Sequence, residues 1–488
     1  MLVALGSDNR IASIAICVIC LAAAALIGLA APRIMNLFDE LGRYLPHPDV
    51  AVGYVQALIW AVVIGFSILF WPVPANHKRD LGIIWICRTI VALGLMPIIQ
   101  YGAPGADAYT YVIWANELGL SWSDYAIGDG TFNISRLIVI HNAVLPESYH
   151  LLGVTWALLG MLGSYAFYRA ARLLMNRDDR RILYIVSLTP SILYWSSLLG
   201  KEPVSYLGMG LYAYGTVAWY KKGSARYLLL MAFGVLLVAS IRTWYAPMMV
   251  LPLIAFALGR SSSGKLGNPL GRLAFLFFMA VGLMYAFNAS EFASSLESTD
   301  ALLQTTSSIN EDYAAGGSAI EATNYTSIGG LILGLPGGML TALLRPLPGE
   351  VLNMFGTLAG FENLMLVGLA AIGLSRFRLH YLRDPIFMWV CILILLWAAQ
   401  YGLTASTNLG SLSRYRLQIQ PFFLGLVLFL VAQPRIPSRR RTAGKRMLPM
   451  ATVNATMVSP RPGFGRPAPQ AGLTAQTSKP AYGDFDAG

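Results

Sequence analysis

Apolar stretches of about twenty residues, each nearly free of charge, recur along this chain of 488 residues. Twenty residues of α-helix extend about 30 Å, which is the thickness of the hydrocarbon core of a membrane. Only 12% of the residues are charged and the mean hydropathy is +0.58, whereas soluble domains carry about 25% charged residues. The pattern predicts an all-α, polytopic membrane protein and excludes a cytosolic enzyme, a nucleic-acid-binding module and a disordered scaffold.

The apolar stretches predict about twelve membrane-spanning helices within residues 1–432. The first, at 11–31, carries no charge and is long for a signal-peptide core, so we expect an uncleaved anchor. The other predicted spans are 51–72, 81–101, 150–168, 182–199, 203–220, 227–241, 244–259, 273–289, 359–375, 385–402 and 417–432.

Lysine and arginine residues are concentrated in alternate loops, and this orients the predicted spans. Of the 35 cations, 26 fall in the N-terminal segment, in the loops 73–80, 169–181, 221–226, 260–272 and 376–384, and in the C-terminal tail. Of the 24 acids, only seven fall in these same segments and 17 fall elsewhere. Because cations are retained in the cytoplasm, both termini are predicted to be cytoplasmic. The net charge of +11 therefore reflects orientation, and we expect no nucleic-acid partner.

The two long loops, 102–149 and 290–358, are predicted to be extracytoplasmic. We expect the first, which is rich in Trp and Tyr, to be ordered, and the polar part of the second to be mobile. Residues 328–344 are apolar enough to cross, but a crossing there would invert the charge pattern after them. Pro336 and several glycines also weaken a straight helix. We predict a re-entrant or interfacial element.

The tail, residues 433–488, has a different composition from the rest of the chain. It begins with a basic run and continues with Pro, Gly and Ala. Such a segment buries too little apolar surface to fold alone, so we predict a disordered cytoplasmic tail that can also contact anionic lipid headgroups.

Eight cations lie on the acidic side, against the orientation bias, and each needs a local reason. They are Arg33, Arg43, Arg136, Lys201, Arg242, Arg345, Arg414 and Arg416. Binding of phosphates or anionic headgroups is one reason, and pairing with an acid of the same loop is the other.

Lys201 and Arg242 occupy similar hairpin tips, each with an aromatic residue close by, Trp195 and Trp244 respectively. The flanking spans are short, so both cations should face the interior of the helix bundle. Pairing of Lys201 with its neighbour Glu202 is the alternative interpretation.

Arg345, followed by Glu350, leaves the predicted re-entrant element, and Arg414 and Arg416 precede the last span on the same side. Guanidinium groups can bind phosphate oxygens in pairs. Arg414 and Arg416 are two residues apart, so they diverge in a helix and converge on one ligand only from an extended or turned segment.

Asp107 follows the third span and precedes Tyr109 and Tyr111. A carboxylate at this level could act as a general base towards a sugar hydroxyl. A helix N-cap is the alternative, and Asp39 with Glu40 is a rival acid pair. Arg88, inside a predicted span, is either functional or extends towards the cytoplasmic surface.

The cysteines and histidines give no metal-binding pattern. Cys17 and Cys20 form a C-x-x-C without a second ligand pair, and the five histidines are scattered. We therefore expect no metal and no cofactor.

In three sets of residues the chain resembles bacterial multi-span membrane proteins that build surface polysaccharide. These proteins are of the GT-C glycosyltransferase or O-antigen-polymerase type. The three sets are the segment with Asp107, Tyr109 and Tyr111, the hairpin from Trp195 to Glu202, and the late Arg345-Pro and Arg414-Tyr-Arg416 segments, within residues 80–430. In the GT-C pattern the catalytic acid lies in the first outer loop, whereas Asp107 lies in the second. The resemblance to the polymerases implies that outward arginines hold lipid pyrophosphate, which fits Arg345, Arg414 and Arg416.

The first hypothesis is therefore glycosyl transfer on the outer face of a bacterial inner membrane, from a polyprenyl phosphate- or pyrophosphate-linked sugar. Asp107 would be catalytic, and Lys201, Arg242, Arg345, Arg414 and Arg416 would bind phosphate. Sugar or acceptor contacts would come from Tyr109, Tyr111, Trp195, Trp244 and Glu350. Expected partners are membrane lipid and other envelope polysaccharide-assembly proteins. The alternatives are a transporter or flippase for lipid-linked or anionic cargo and a structural subunit of an envelope complex.

Overall fold

The computed structural model describes residues 36–37, 40–46, 49–101, 106–125, 127–258, 298–314, 317–321 and 325–433. Over these residues the chain is helical and forms no strand, so the predicted all-α class is confirmed for them. The predicted spans at 11–31 and 273–289 lie outside the described residues, as does the predicted tail after Gln433.

The α-helices of the described residues are, in chain order, α1 (Val50–Ser67), α2 (Ala75–Thr89), α3 (Met96–Gln100), α4 (Asp107–Glu117), α5 (Gly130–Asn142), α6 (Tyr149–Met175), α7 (Arg180–Leu188), α8 (Pro190–Trp195), α9 (Lys201–Lys222), α10 (Arg226–Ile241), α11 (Tyr245–Val250), α12 (Ile254–Leu258), α13 (Thr299–Tyr313), α14 (Ile328–Leu344), α15 (Met354–Leu374), α16 (Pro385–Thr404), α17 (Leu409–Tyr415) and α18 (Gln420–Ala432).

Five of the described helical segments are long and apolar enough to cross a membrane. They are Val50–Phe70, Ala75–Gln100, Tyr149–Met175, Met354–Leu374 and Pro385–Thr404. A sixth results if Leu409–Gln418 and Gln420–Ala432, which are bent by 73°, form one broken span. These segments coincide with six of the predicted spans. The total of twelve and the orientation of the termini stay predictions.

Four other predicted spans, apart from residue 259, lie within the described residues and are shorter or less apolar. The span at 182–199 divides into α7 and α8 at Thr189, whose ψ of 125° suits a residue that precedes proline. Helix α10 has 16 residues, and the span at 244–259 divides into α11, a 3₁₀ turn and α12. Helix α9 is long but is not among the five strongly apolar segments.

The outer faces of the described helices carry large apolar side chains. Phe66, Leu333, Phe361 and Leu374 are each at least 60% exposed. Soluble proteins bury most of their large apolar side chains. The exposed faces therefore support a membrane location.

Glycines bring helix α9 into close contact with its neighbours on two sides, α6 and α10. A Cβ placed on Gly210 would lie 2.6 Å from the carbonyl oxygen of Gly163 in α6. A Cβ placed on Gly234 in α10 would lie 2.6 Å from the carbonyl oxygen of Gly208. Small residues allow helix backbones to approach in this way within membranes. The packing brings the beginning of α9 next to the end of α10.

Residues 299–313, part of the segment that we expected to be mobile, form helix α13. The side chain of Asn310 donates to the carbonyl oxygen of Leu403 at 2.7 Å, and Thr407 donates to the carbonyl oxygen of Asn310 at 2.9 Å. This part of the second long loop is thus attached to the end of α16.

Residues 328–344 form one helix, α14, whose N-terminus is capped by Ser327. The chain on both sides of α14 contacts the same corner, residues 405–416. Ile320 donates its N–H to the carbonyl oxygen of Thr407 at 2.7 Å, and the carbonyl oxygen of Arg345 accepts from Arg416. This arrangement is compatible with the predicted re-entrant element, which stays a prediction.

Candidate functional site

Helices α9 and α10 place an acid and a base next to each other inside the protein. Glu202 is the second residue of α9, and Arg242 directly follows α10. Arg242 Nη2 donates to Glu202 Oε1 at 2.7 Å, and both side chains are almost fully buried. A buried ion pair needs such close geometry because both groups lose their hydration.

Arg414 contributes a second guanidinium group to the same carboxylate. It lies in α17, whose N-terminus is capped by Asn408. Its Nε donates to Glu202 Oε1 at 2.6 Å and its Nη2 donates to Oε2 at 3.0 Å. Burial alone would raise the pKa of Glu202, but the charges of Arg414 and Arg242 outweigh it and lower that pKa to about 2. Glu202 lies just outside the predicted span 203–220, and its low pKa keeps it ionised at neutral pH.

Asp107 completes the chain of ion pairs towards the surface. It is the first residue of α4, and its Oδ2 accepts from Arg414 Nη1 at 2.7 Å. The side chain of Asp107 is 60% exposed, compared with 24% for Arg414 and 7% for Glu202. The carboxylate of Asp107 is therefore the part of this chain that solvent or a ligand reaches first. The N-cap position of α4 belongs to Ala106.

Lys201 lies beside these ion pairs. The sequence left open a pairing of Lys201 with Glu202, but the two side chains do not hydrogen-bond. The Nζ of Lys201 donates to Thr131 Oγ1 at 2.7 Å. Burial and the charge of Arg242 lower the pKa of Lys201 to about 8. We refer to Asp107, Lys201, Glu202, Arg242 and Arg414 as the charged cluster. With Lys201 protonated, three cations face two acids, which leaves one net positive charge.

Aromatic side chains surround the charged cluster. The guanidinium group of Arg414 lies 5.9 Å from the Trp195 ring centre, and that of Arg242 lies 4.6 Å from the Tyr415 ring centre. Such cation–π contacts stabilise a buried guanidinium group. Burial and the charge of Glu202 raise the pKa of Tyr111 to about 12, so its hydroxyl stays protonated next to the cluster.

Two of the predicted sugar contacts, Trp244 and Tyr109, pack against aromatic neighbours of their own. Trp244 lies over Arg242 with 5.9 Å between the guanidinium carbon and the ring centre, and its indole N–H donates to the Tyr401 hydroxyl at 3.2 Å. Tyr109 is buried in the same apolar group as Tyr111 and packs against Tyr149, with 5.6 Å between ring centres.

Arg345 and Arg416 form a second group and do not join the charged cluster. Arg345 Nε donates to Glu350 Oε1 at 2.8 Å, and Glu350 also accepts from the N–H of Leu347 at 2.6 Å. All three guanidinium nitrogens of the buried Arg416 donate to protein oxygens. The acceptors are the carbonyl oxygens of Ala342 and Arg345 and the side chain of Asn363.

Arg88 is buried and does not extend towards the cytoplasmic surface. Its Nη1 donates to Ser196 Oγ at 2.8 Å and to Ser197 Oγ at 3.1 Å, and its Nη2 donates to Ser164 Oγ at 2.9 Å. Among the described residues, no carboxylate forms a salt bridge with it. Arg88 thus fixes the turn 196–200 that leads to Lys201.

Sequence reasoning missed the role of Glu362, a buried acid in α15. Its Oε2 accepts from both the N–H and the hydroxyl of Ser191, each at 2.9 Å, and its Oε1 accepts from Gln420. The available signal was that Glu362 is the single charged residue of an otherwise uncharged apolar helix, a position that is costly unless the charge has partners.

A cavity of about 230 Å³ opens beside the charged cluster, among α8, residues 346–359 and the first turns of α17. Its lining includes Tyr194, Trp195, Phe355, Leu409 and Ser413. The rings of Tyr194 and Phe355 stack with 4.8 Å between their centres. Typical ligand pockets measure roughly 300–1,000 Å³, so this cavity has room for part of a ligand.

The described part of the chain holds no group of three or more His, Cys, Asp or Glu residues arranged for a metal ion. No protein-family model, curated protein or solved structure matches the chain. The arguments for function therefore rest on the geometry of the charged cluster and on the sequence.

Proposed function

We propose that the protein transfers a glycosyl group from a polyprenyl phosphate- or pyrophosphate-linked sugar, on the extracytoplasmic face of a bacterial inner membrane, in the assembly of cell-surface polysaccharide. The observation that carries the proposal is the position of Arg414. It joins a buried carboxylate, Glu202, to an exposed one, Asp107, beside an aromatic-lined cavity.

The net charge of the charged cluster favours an anionic ligand. Glu202 is buried and binds two arginines, so a ligand does not displace it readily. Asp107 is exposed and binds Arg414 through one oxygen, Oδ2. A phosphate oxygen that replaces Asp107 on Arg414 Nη1 keeps a charge-assisted hydrogen bond there and adds attraction from Lys201.

Displacement of Asp107 also prepares the chemistry. Phosphate binding to Arg414 frees the Asp107 carboxylate, which can then accept a hydrogen bond from the acceptor hydroxyl. The acceptor hydroxyl oxygen then bonds to the anomeric carbon while the bond from that carbon to the phosphate oxygen breaks. The hydroxyl proton passes to Asp107, and the bonding electron pair leaves with the phosphate. Arg414 and Lys201 stabilise the charge that develops on this leaving group.

Within this proposal Glu202 and Arg242 are positioning residues, because both are buried and act through Arg414. Arg416 is likewise a positioning residue, since its donors bind backbone and amide oxygens. Arg345, with Glu350, remains a candidate contact for a second phosphate group. The cavity beside Trp195 receives a sugar ring, whose apolar face packs against aromatic side chains.

The test compares Arg414→Gln and Asp107→Asn in the native host. We expect both proteins to reach the membrane in normal amounts, the polymer to be lost, and the lipid-linked sugar to accumulate. Loss of a general base slows catalysis by about 10²–10⁴-fold, and loss of charge stabilisation by about 10²–10³-fold. Arg43→Gln is the matched control, since Arg43 is exposed, lies on the same predicted side and is outside the charged cluster. Normal polymer from both test variants would overturn the proposal.

A transporter or flippase for the same lipid is the competing function. The charged cluster lies at the helix ends rather than midway along them, which favours chemistry at the membrane surface. Liposomes containing the purified protein separate the two functions. Movement of labelled lipid-linked sugar across the bilayer without any new glycosidic bond would establish the competing function.

A further inference from the structure

A second cavity, with a volume of about 360 Å³ and a polar lining, opens at the other end of helix α9. The 22 residues of α9 extend about 33 Å, so this cavity is remote from the charged cluster. It lies where α6 ends and α9 ends, at the side that the charge pattern predicts to be cytoplasmic. The charged and aromatic residues of its lining are Arg169, Arg172, Arg177, Asp178, Tyr214 and Lys222. Four cations and one acid give the lining a net charge of +3.

Arg169 is held in place by two tyrosine rings. Its Nη2 donates to the Tyr214 hydroxyl at 3.1 Å, and its guanidinium carbon lies 5.2 Å from the ring centre of Tyr214 and 5.9 Å from that of Tyr165. The guanidinium group is therefore oriented before any ligand arrives. Such preorganisation reduces the entropy that binding costs.

The acid of the lining, Asp178, is already engaged by other groups. It accepts from His77 Nε2 at 3.2 Å and from the Tyr168 hydroxyl, and it lies 3.7 Å from Arg172 Nη2. The hydrogen bond from Tyr168 lowers the pKa of Asp178, which therefore stays ionised. The single negative charge of Asp178 therefore neutralises only part of the positive charge of the four cations in the lining.

The retention of cations in the cytoplasm explains why basic residues occur at this end of the helices. The C-terminal end of α6 also favours Arg172 and Arg177 through the helix dipole. Neither effect explains why four cations surround one cavity. Arg181 and Lys221 are exposed cations at the same end of the helices, yet they lie outside the lining of the cavity.

We propose that this cavity binds a phosphate group, with Arg169 as the fixed contact and Arg172, Arg177 and Lys222 around it. Guanidinium groups match the oxygens of phosphate in pairs, which favours phosphate over a single carboxylate. The phosphate group belongs either to the headgroup of an anionic phospholipid in the adjacent leaflet or to a soluble phosphate compound. This binding site is independent of the glycosyl-transfer proposal, since it lies at the opposite end of α9.

The test uses the purified full-length protein in nanodiscs of phosphatidylcholine. One arm adds phosphatidylglycerol to the bilayer, and the other adds inorganic pyrophosphate to the buffer. We expect one of these probes to raise the Tm in a concentration-dependent manner, as a ligand specific for the folded state does. Arg177→Gln and Lys222→Gln should each weaken the apparent affinity about tenfold, the effect of losing one charge-assisted contact.

Lys221→Gln and Arg181→Gln are the matched controls, because each removes one exposed positive charge from the same end without touching the lining. A shift with phosphatidylglycerol alone identifies a lipid headgroup, and a shift with pyrophosphate alone identifies a soluble ligand. Absence of any shift, or equal weakening by the control variants, would overturn the proposal. The charge reversal Arg177→Glu checks the result, since it should abolish the shift while the Tm without ligand stays near that of the wild type.

Discussion

Glu202 and Arg414 lie 212 positions apart in the chain and are joined by two hydrogen bonds, of 2.6 and 3.0 Å. The contact connects the hairpin of α8 and α9 with the segment that precedes the last described helix. It also determines where Arg414 presents its remaining nitrogen, Nη1, to Asp107. The interaction of these two residues therefore supports both the fold and the site.

Glu202→Gln should destabilise the protein strongly. The change leaves Arg242, which is buried, without its carboxylate partner, and removal of one member of a buried ion pair costs about 3–5 kcal/mol. The measurement is the Tm of the purified protein in detergent. The double variant Glu202→Gln with Arg242→Gln should recover part of the loss, since no unpaired charge remains. A Tm for Glu202→Gln equal to that of the wild type would contradict the importance of the pair.

The activity should decline in alkaline solution because of Lys201. Its pKa of about 8 means that the side chain is protonated below this pH and loses its charge as the pH rises through it. Attraction of phosphate by the charged cluster should weaken over the same interval. Lys201→Arg keeps the charge at high pH, so the alkaline decline of glycosyl transfer in membrane vesicles should move upward. Identical alkaline midpoints for the two proteins would show that Lys201 is not the titrating group.

Replacement of Arg416 should reduce the stability of the protein, whereas replacement of Arg414 should mainly reduce its activity. Arg416→Gln leaves the carbonyl oxygens of Ala342 and Arg345 without a donor, at roughly 1–3 kcal/mol for each buried group. We therefore expect a low Tm and poor recovery of folded protein. Arg414→Gln leaves Glu202 paired with Arg242, so the folded protein should be recovered in near-normal amounts but without activity. Size-exclusion profiles and Tm values of both variants test this distinction.

Two glycines of helix α6, Gly163 and Gly153, allow a matched test of how closely this helix packs against α9. A Cβ on Gly163 would lie 3.0 Å from the N atom of Leu207 in α9, whereas a Cβ on Gly153 would have no neighbour within 4 Å. Gly163→Ala should lower the stability by about 1–3 kcal/mol through overpacking. Gly153→Ala should leave it unchanged or raise it by up to about 1 kcal/mol, because alanine favours the helix. Equal Tm values for the two variants would argue against close contact between α6 and α9.

Hydropathy predicted the long apolar helices well, because about twenty uncharged residues in a row have few alternatives to a membrane helix. It predicted the segment 182–199 less well. The break at Thr189 follows from Pro190, a local signal that an average over the span conceals. The helix at 299–313 was missed because its composition is polar and its partners, Leu403 and Thr407, are about a hundred residues away in the chain.

The charge pattern identified the cations that needed an explanation, but not how they are grouped. It treated Arg414 and Arg416 alike, whereas one contacts two carboxylates and the other contacts mainly carbonyl oxygens. It treated Glu202 only as a neighbour of Lys201. Partners separated by forty residues or by two hundred leave no mark in local spacing, since packing of distant helices brings them together.

The glycine contacts on two sides of α9 have a consequence for motion. Sliding of α9 along α6 would drive the backbone at Gly163 into Tyr206, and sliding along α10 would do the same at Gly234 and Tyr212. The three helices are therefore locked in register and carry Lys201, Glu202 and Arg242 as one rigid piece. The hydrogen bonds of Arg414 with Glu202 connect α17 to this piece, so any movement of α17 relative to it would have to break them.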